Sequence, residues 1–217
     1  MKRLPTLLAL TILLSGCARA GRDTADLLPI LTAGLSAASD GTLTLTAEVV
    51  RQDELEGAAS AVYLTAQGKT PQAVLDQADA RMADALYLSH ARTLVIDERL
   101  ARSGLHPLVR ALLARGDVRL TLRLAVARDV SAQAVVQGQA LAGQIAGEAL
   151  GDLLDRRAHT GVLPDLPLCR TADALLAGRD FTLPALTCDA QGCVVPAGQA
   201  ELRLGRLTGF SGGEPDA

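Results

Sequence analysis

Thr42-Leu43-Thr44-Leu45-Thr46-Ala47-Glu48-Val49-Val50 alternates strictly, with Leu43, Leu45, Ala47 and Val49 on one face and threonines and Glu48 on the other. Successive side chains of an extended chain point to opposite faces, so this stretch reads as a half-buried strand. Further along, Ala61 to Ala66 reads as a second strand, ending at Gln67-Gly68-Lys69. Thr70-Pro71 supplies the cap and first-turn residues of a helix, and Val74, Leu75, Ala78, Met82 and Leu86 follow at helical spacing. Leu94-Val95-Ile96 predicts a short buried strand. A helix from about Gly104 places Leu105, Leu108, Val109, Leu112 and Leu113 on one stripe. Val118, Leu120, Leu122, Leu124 and Val126 alternate with Arg119, Thr121 and Arg123, which predicts another strand. Strands interleaved with helices define an α/β fold, here a mixed sheet with helices packed on one face, over residues 27–137.

Residues 138–217 read as a smaller second region of helix and short strands. Its helix begins earlier, near Ser131, and runs to about Arg157, carrying Gly143, Gly147 and Gly151 four residues apart. Each glycine costs a water-exposed helix roughly 1 kcal/mol, so three in register mark a surface where another backbone comes close. That surface is either tight packing inside the protein, the favoured reading, or a groove for a partner. Gln144, Glu148 and Asp152 prevent the segment from spanning a membrane. Gly161 to Pro167 looks like an irregular crossing. Leu183 to Phe210 holds short strand-like pieces such as Ala200 to Leu204, and Ser211 to Ala217 is a polar end.

At the other end, Lys2 and Arg3 precede the apolar run Leu7 to Leu14 and then Leu14-Ser15-Gly16-Cys17. This predicts an export signal over residues 1–16, whose apolar core falls short of the roughly 20 residues a spanning helix needs. An ordinary secretory signal with an incidental cysteine is the alternative. Cys17 sits at the one position that lipoprotein processing requires, which favours diacylglycerol on its thiol and attachment to a membrane. Residues 17–26 are then a polar tether. The chain's 217 residues suffice for a sizeable core, and its net charge of −3 argues against nucleic acid as a partner. With no Trp, two Tyr and two Phe it lacks platforms for base or sugar stacking.

In an exported chain disulfides persist, and Cys188-Asp-Ala-Gln-Gly-Cys193 brackets a short turn, so Cys188 and Cys193 are the expected bridge, leaving Cys169 free. A zinc site would want closer ligand pairs than these cysteines and the three histidines provide. No nucleophile elbow, phosphate-binding loop, dinucleotide fingerprint or metalloprotease helix occurs, so neither cofactor nor catalysis is expected. His90, beside Ser89 and seven residues before Asp97, admits two readings. A triad needs its members only to meet in space. Neighbours in a strand aim apart, however, which favours a structural His90 tying the start of a buried strand to nearby backbone. Asp97-Glu98 suits the start of a helix, where carboxylates meet the positive end of the dipole.

The cleavage box, then Val62-Tyr63-Leu64-Thr65-Ala66-Gln67-Gly68-Lys69-Thr70, then Leu86 to Ile96, then Leu100-Ala101-Arg102-Ser103-Gly104-Leu105 together resemble the amino-terminal region of the spore germination Ger(x)C family, the germinant receptor C-subunit lipoproteins. Order and spacing agree over about Leu27 to Val136. Leu183 to Leu186 and Leu202 to Phe210 are similar to the stretch that precedes that family's last domain. Family members sit on the outer face of the spore's inner membrane and work with two integral-membrane subunits that sense nutrients. The resemblance therefore implies a non-catalytic accessory subunit with those partners. The chain departs from the pattern in ending where the family's carboxy-terminal domain would begin, and in having Cys188 and Cys193. The alternative outside this family is a solute-binding or envelope-scaffold lipoprotein.

Overall fold

The computed structural model describes residues 29–52, 59–81, 87–138 and 145–212. They form one eight-stranded mixed sheet in the order β3-β2-β1-β4-β5-β6-β7-β8. Strands β1 (Ile30–Ala37), β2 (Leu43–Gln52) and β3 (Ala59–Gly68) make an antiparallel meander. On the other side of β1, strands β4 (Thr93–Asp97), β5 (Arg123–Ala127) and β6 (Phe181–Cys188) run parallel. Two antiparallel strands, β7 (Val194–Arg203) and β8 (Arg206–Ser211), complete the sheet. The stretch after residue 138 thus extends the same sheet, through Val126 paired with Ala185 and Ala127 with Leu186.

The expected mixed sheet is present, but its helices occupy both faces. On one lie α1 (Pro71–Arg81), α2 (Glu98–Ser103), α3 (His106–Ala114) and α6 (Leu168–Leu176). On the other lie α4 (Ala132–Val136) and α5 (Ala146–His159). The central strands show why: Leu94, Ile96, Leu124 and Val126 enter the first core, while Val95, Ala125 and Ala127 enter the second. Strands buried on both faces lose the polar alternation that would expose a single covered face. The second face is lined by small residues, so α4 lies close, and a Cβ on Gly34 of β1 would stand 2.8 Å from the Ala132 carbonyl oxygen.

Two expected elements differ. The strand expected over 118–126 begins only at Arg123, and Leu120 is 56% exposed. The preceding residues form a turn whose carbonyls receive the first turn of α6: Leu168 N–H donates to Leu122 O at 2.7 Å and Cys169 N–H to Leu120 O at 3.1 Å. The helix expected from Ser131 to Arg157 is two helices. Ser131 caps α4, its Oγ accepting from Ala134 N–H at 3.0 Å, and the chain leaves that helix at Gly138. There a Cβ would meet Val194 of β7 at 2.5 Å. Strand β1 was not expected from sequence: as an inner strand it buries Ile30, Thr32, Ala33 and Leu35 without a simple period.

Candidate functional site

Strand β1 is where the connections reverse: β2 and β3 continue to one side, and β4 to β6 build on the other. In α/β sheets such a reversal leaves a crevice outside the carboxyl ends of the strands. Here it is an open groove of about 860 Å³. Its walls are the β1–β2 turn, the β3–α1 junction, α2 and α3. Asp97 ties the base together. One carboxylate oxygen accepts from Ala37 N–H of β1 at 2.7 Å and the other from Leu100 N–H of α2 at 2.8 Å. Burial pushes its carboxyl above the ordinary value against these two hydrogen bonds. Ala37, Leu43, Leu100 and Leu108 make an apolar floor, and Lys69, Arg99 and Arg110 stand around it. Lys69 Nζ donates to Thr42 Oγ1 at 2.8 Å and pairs with Asp40 at 3.4 Å. Arg99 and Arg110 are exposed and form no ion pair with any described residue.

On the opposite face the strand register places Tyr63, Glu48, Thr32, Thr93 and Arg123 in one row across β3, β2, β1, β4 and β5. Helix α5 lies on this row. Glu48, fully buried, accepts from Gly147 N–H in the first turn of α5 at 2.7 Å, while its other oxygen has no hydrogen-bond partner among the described residues. Burial pushes the Glu48 carboxyl up to about 7, aided by the charge of Glu148 and opposed by the N–H groups of Gly147 and Ala146. A Cβ at Gly147 would collide with the Glu48 carboxylate, and one at Gly151 would reach the Arg92 guanidinium at 2.6 Å. Arg92 pairs with Asp152 at 2.8 Å and Asp155 at 2.5 Å, and Arg123 with Asp155 at 2.6 Å. Gly147 and Gly151 therefore serve close packing inside the protein; Gly143 lies outside the described residues.

Cys17 also lies outside them. His90 ends a 3-10 turn (Leu88–His90) and is exposed, its ring tilted against Tyr87 with centroids 5.8 Å apart. The tie to backbone expected of it is made by Asp117, which accepts from Leu88 N–H at 3.1 Å and pairs with Arg115 at 2.8 Å. Ser89 and His90 precede β4 and Asp97 ends it, roughly 13 Å of strand away, with the Asp97 carboxylate already engaged by two backbone donors. The three are not brought together. Cys188 and Cys193 flank the β6–β7 turn with free thiols, and the register sets Cys188 opposite Val194. The Cys188 thiol faces the Ala134 carbonyl at 3.7 Å, and burial raises it. Cys169 is exposed. The groove and the Glu48 seat were both missed from sequence. The one available signal was a carboxylate on a strand face otherwise made of threonines.

By architecture this is a mixed α/β-sheet domain with helices on both faces. Residues 21–188 match the family described as the spore germination protein N-terminal domain, and the chain belongs to that family. The match bears out the Ger(x)C resemblance and extends it through β6. No curated protein matches the chain, and no solved structure does.

Proposed function

We propose that the chain is the lipid-anchored accessory C subunit of a spore nutrient germinant receptor, acting by association with integral-membrane subunits and without catalysis of its own. The match of residues 21–188 to the spore germination family carries this reading. The basic start, short apolar core and Leu14-Ser15-Gly16-Cys17 support diacylglycerol on Cys17, which places the protein on the outer face of the cytoplasmic (spore inner) membrane. Among the described residues no helix is long and apolar enough to cross a membrane. A Cys188–Cys193 bridge belongs to the same picture of an exported chain. Its formation requires the Asp189–Gly192 turn to rearrange, because Cys188 now pairs with Val194.

The test is affinity purification of the tagged, lipidated protein from detergent-solubilised spore membranes. Two many-helix membrane proteins co-purifying above the level seen with an unrelated lipoprotein is the expected result. Recovery of the protein alone, from spores in which it is abundant, overturns the proposal.

A further inference from the structure

We propose that the groove at the carboxyl ends of β1 and β4 binds a small amphipathic anion, an apolar body bearing a carboxylate, with the carboxylate held by Arg99 and Arg110. Two independent observations point there. The first is topological: the groove opens at the reversal of strand order, where open α/β sheets hold their ligands, and its volume of about 860 Å³ suits a small organic molecule. The second is chemical. The floor of Ala37, Leu43, Leu100 and Leu108 offers an apolar seat, flanked by Pro71 and Pro107. The neighbouring cations are unequal. Lys69 is engaged by Thr42 and Asp40, whereas Arg99 and Arg110 form no ion pair within 4 Å among the described residues, the charge of Arg99 reaching the Asp97 carboxyl only at longer range. The Asp97 carboxylate at the groove base gives its two oxygens to the Ala37 and Leu100 N–H groups, so two arginines without ion pairs beside one apolar groove leave a place for a carboxylate from outside. The planar guanidinium fork matches a carboxylate in two parallel hydrogen bonds, which an ammonium cannot do.

The inference does not depend on the receptor role, and its test needs no membrane. The purified full chain is titrated with octanoate by calorimetry, with acetate, octanol and octylammonium in parallel. Octanoate should bind saturably at one site in the millimolar range or tighter. Acetate lacks the apolar body and octanol the charge, so both should bind at least about 10-fold more weakly, and octylammonium should not bind. Arg99→Gln and Arg110→Gln, both exposed positions, should each weaken octanoate by about 10-fold with unchanged melting curves. Ala38→Glu, at the exposed rim, should do the same by repulsion. Octanoate binding that is absent, does not saturate, is matched by octanol, or is unaltered in both arginine variants overturns the assignment.

Discussion

Glu48 is a carboxylate with no exposure and with one oxygen lacking any hydrogen-bond partner among the described residues, so the folded state favours its neutral form. Its carboxyl rises from 4.5 to about 7. A raised acid pKa means that its stabilising contribution is complete below the unfolded value, near 4.5, and is lost as pH climbs through about 7. At 1.36 kcal/mol for each unit, the loss is about 3 kcal/mol. Urea denaturation at a series of pH values from 4.5 to 8 should therefore show stability declining by about this amount from Glu48, over whatever other groups contribute. Glu48→Gln keeps an acceptor for Gly147 N–H and cannot ionise, so its profile should be flatter by the same amount. Parallel profiles for the two proteins would remove Glu48 as the cause. The comparison of His90 with Asp117 is the other residue-scale test. His90 is exposed and touches Tyr87 only through the ring, so His90→Ala should change stability by less than about 0.5 kcal/mol. Asp117→Ala strips a partner from Arg115, whose side chain is 13% exposed, and from Leu88 N–H; it should cost about 2 to 3 kcal/mol in the same measurement. Equal effects would mean that the histidine holds the strand start after all.

Helix α5 sets two glycines against different neighbours, which lets one element test its own packing. Helix propensity alone would make Gly→Ala favourable by about 1 kcal/mol at either position. At Gly147 the new methyl meets a carboxylate locked between sheet and helix, and overpacking of that kind costs about 1 to 3 kcal/mol, so Gly147→Ala should lower the melting temperature. At Gly151 the neighbour is the end of the Arg92 side chain, 36% exposed and able to withdraw, so Gly151→Ala should be close to neutral. A stabilised Gly147→Ala would show that α5 does not rest on Glu48. Legibility differs among the elements for equally physical reasons. Strands β2 and β3 border the sheet's first edge with one face richer in polar groups, so their period of two survives in the sequence, and α1 carries its start signal in Thr70-Pro71. Strand β1 lies under helices on both sides and carries Gly34 beneath α4, so periodicity is erased. Residues 118–122 alternate in sequence like a strand, yet they form a turn whose carbonyls receive α6, a pairing that sequence spacing does not encode. The groove was illegible because its walls come from four separated segments, and only the strand order brings Leu43, Lys69, Arg99 and Arg110 to one opening.

At the scale of the whole molecule the sheet is continuous from β3 to β8, and its larger core draws on both halves of the chain: Leu105, Leu108 and Leu112 pack in the same cluster as Leu168, Leu183 and Leu202. That core is assembled from residues between Ile30 and Leu207. In the proposed role, membrane residence rests on lipid at Cys17. The sequence of the expected tether, Ala18-Arg-Ala-Gly-Arg-Asp-Thr-Ala-Asp26, has no apolar stripe, and a net charge of −3 gives the chain no attraction to an anionic bilayer surface. At about 0.8 kcal/mol for each buried methylene, two long acyl chains supply far more than the marginal hold of a single myristoyl chain. Covalent geometry limits residues 18–28 to a reach of roughly 40 Å at full extension, so a lipidated chain presents its domain to membrane partners at high effective concentration. Cys17→Ser should separate these contributions. The variant should leave the membrane fraction or persist with its signal uncleaved, take up no fatty-acid analogue, and melt in the same single transition as a soluble form of the wild type. Nutrient-triggered germination should slow in spores that carry it, because the subunit no longer accumulates beside its partners. Full membrane retention of Cys17→Ser, together with a wild type that takes up no label, would mean that something other than lipid at Cys17 holds the protein to the bilayer.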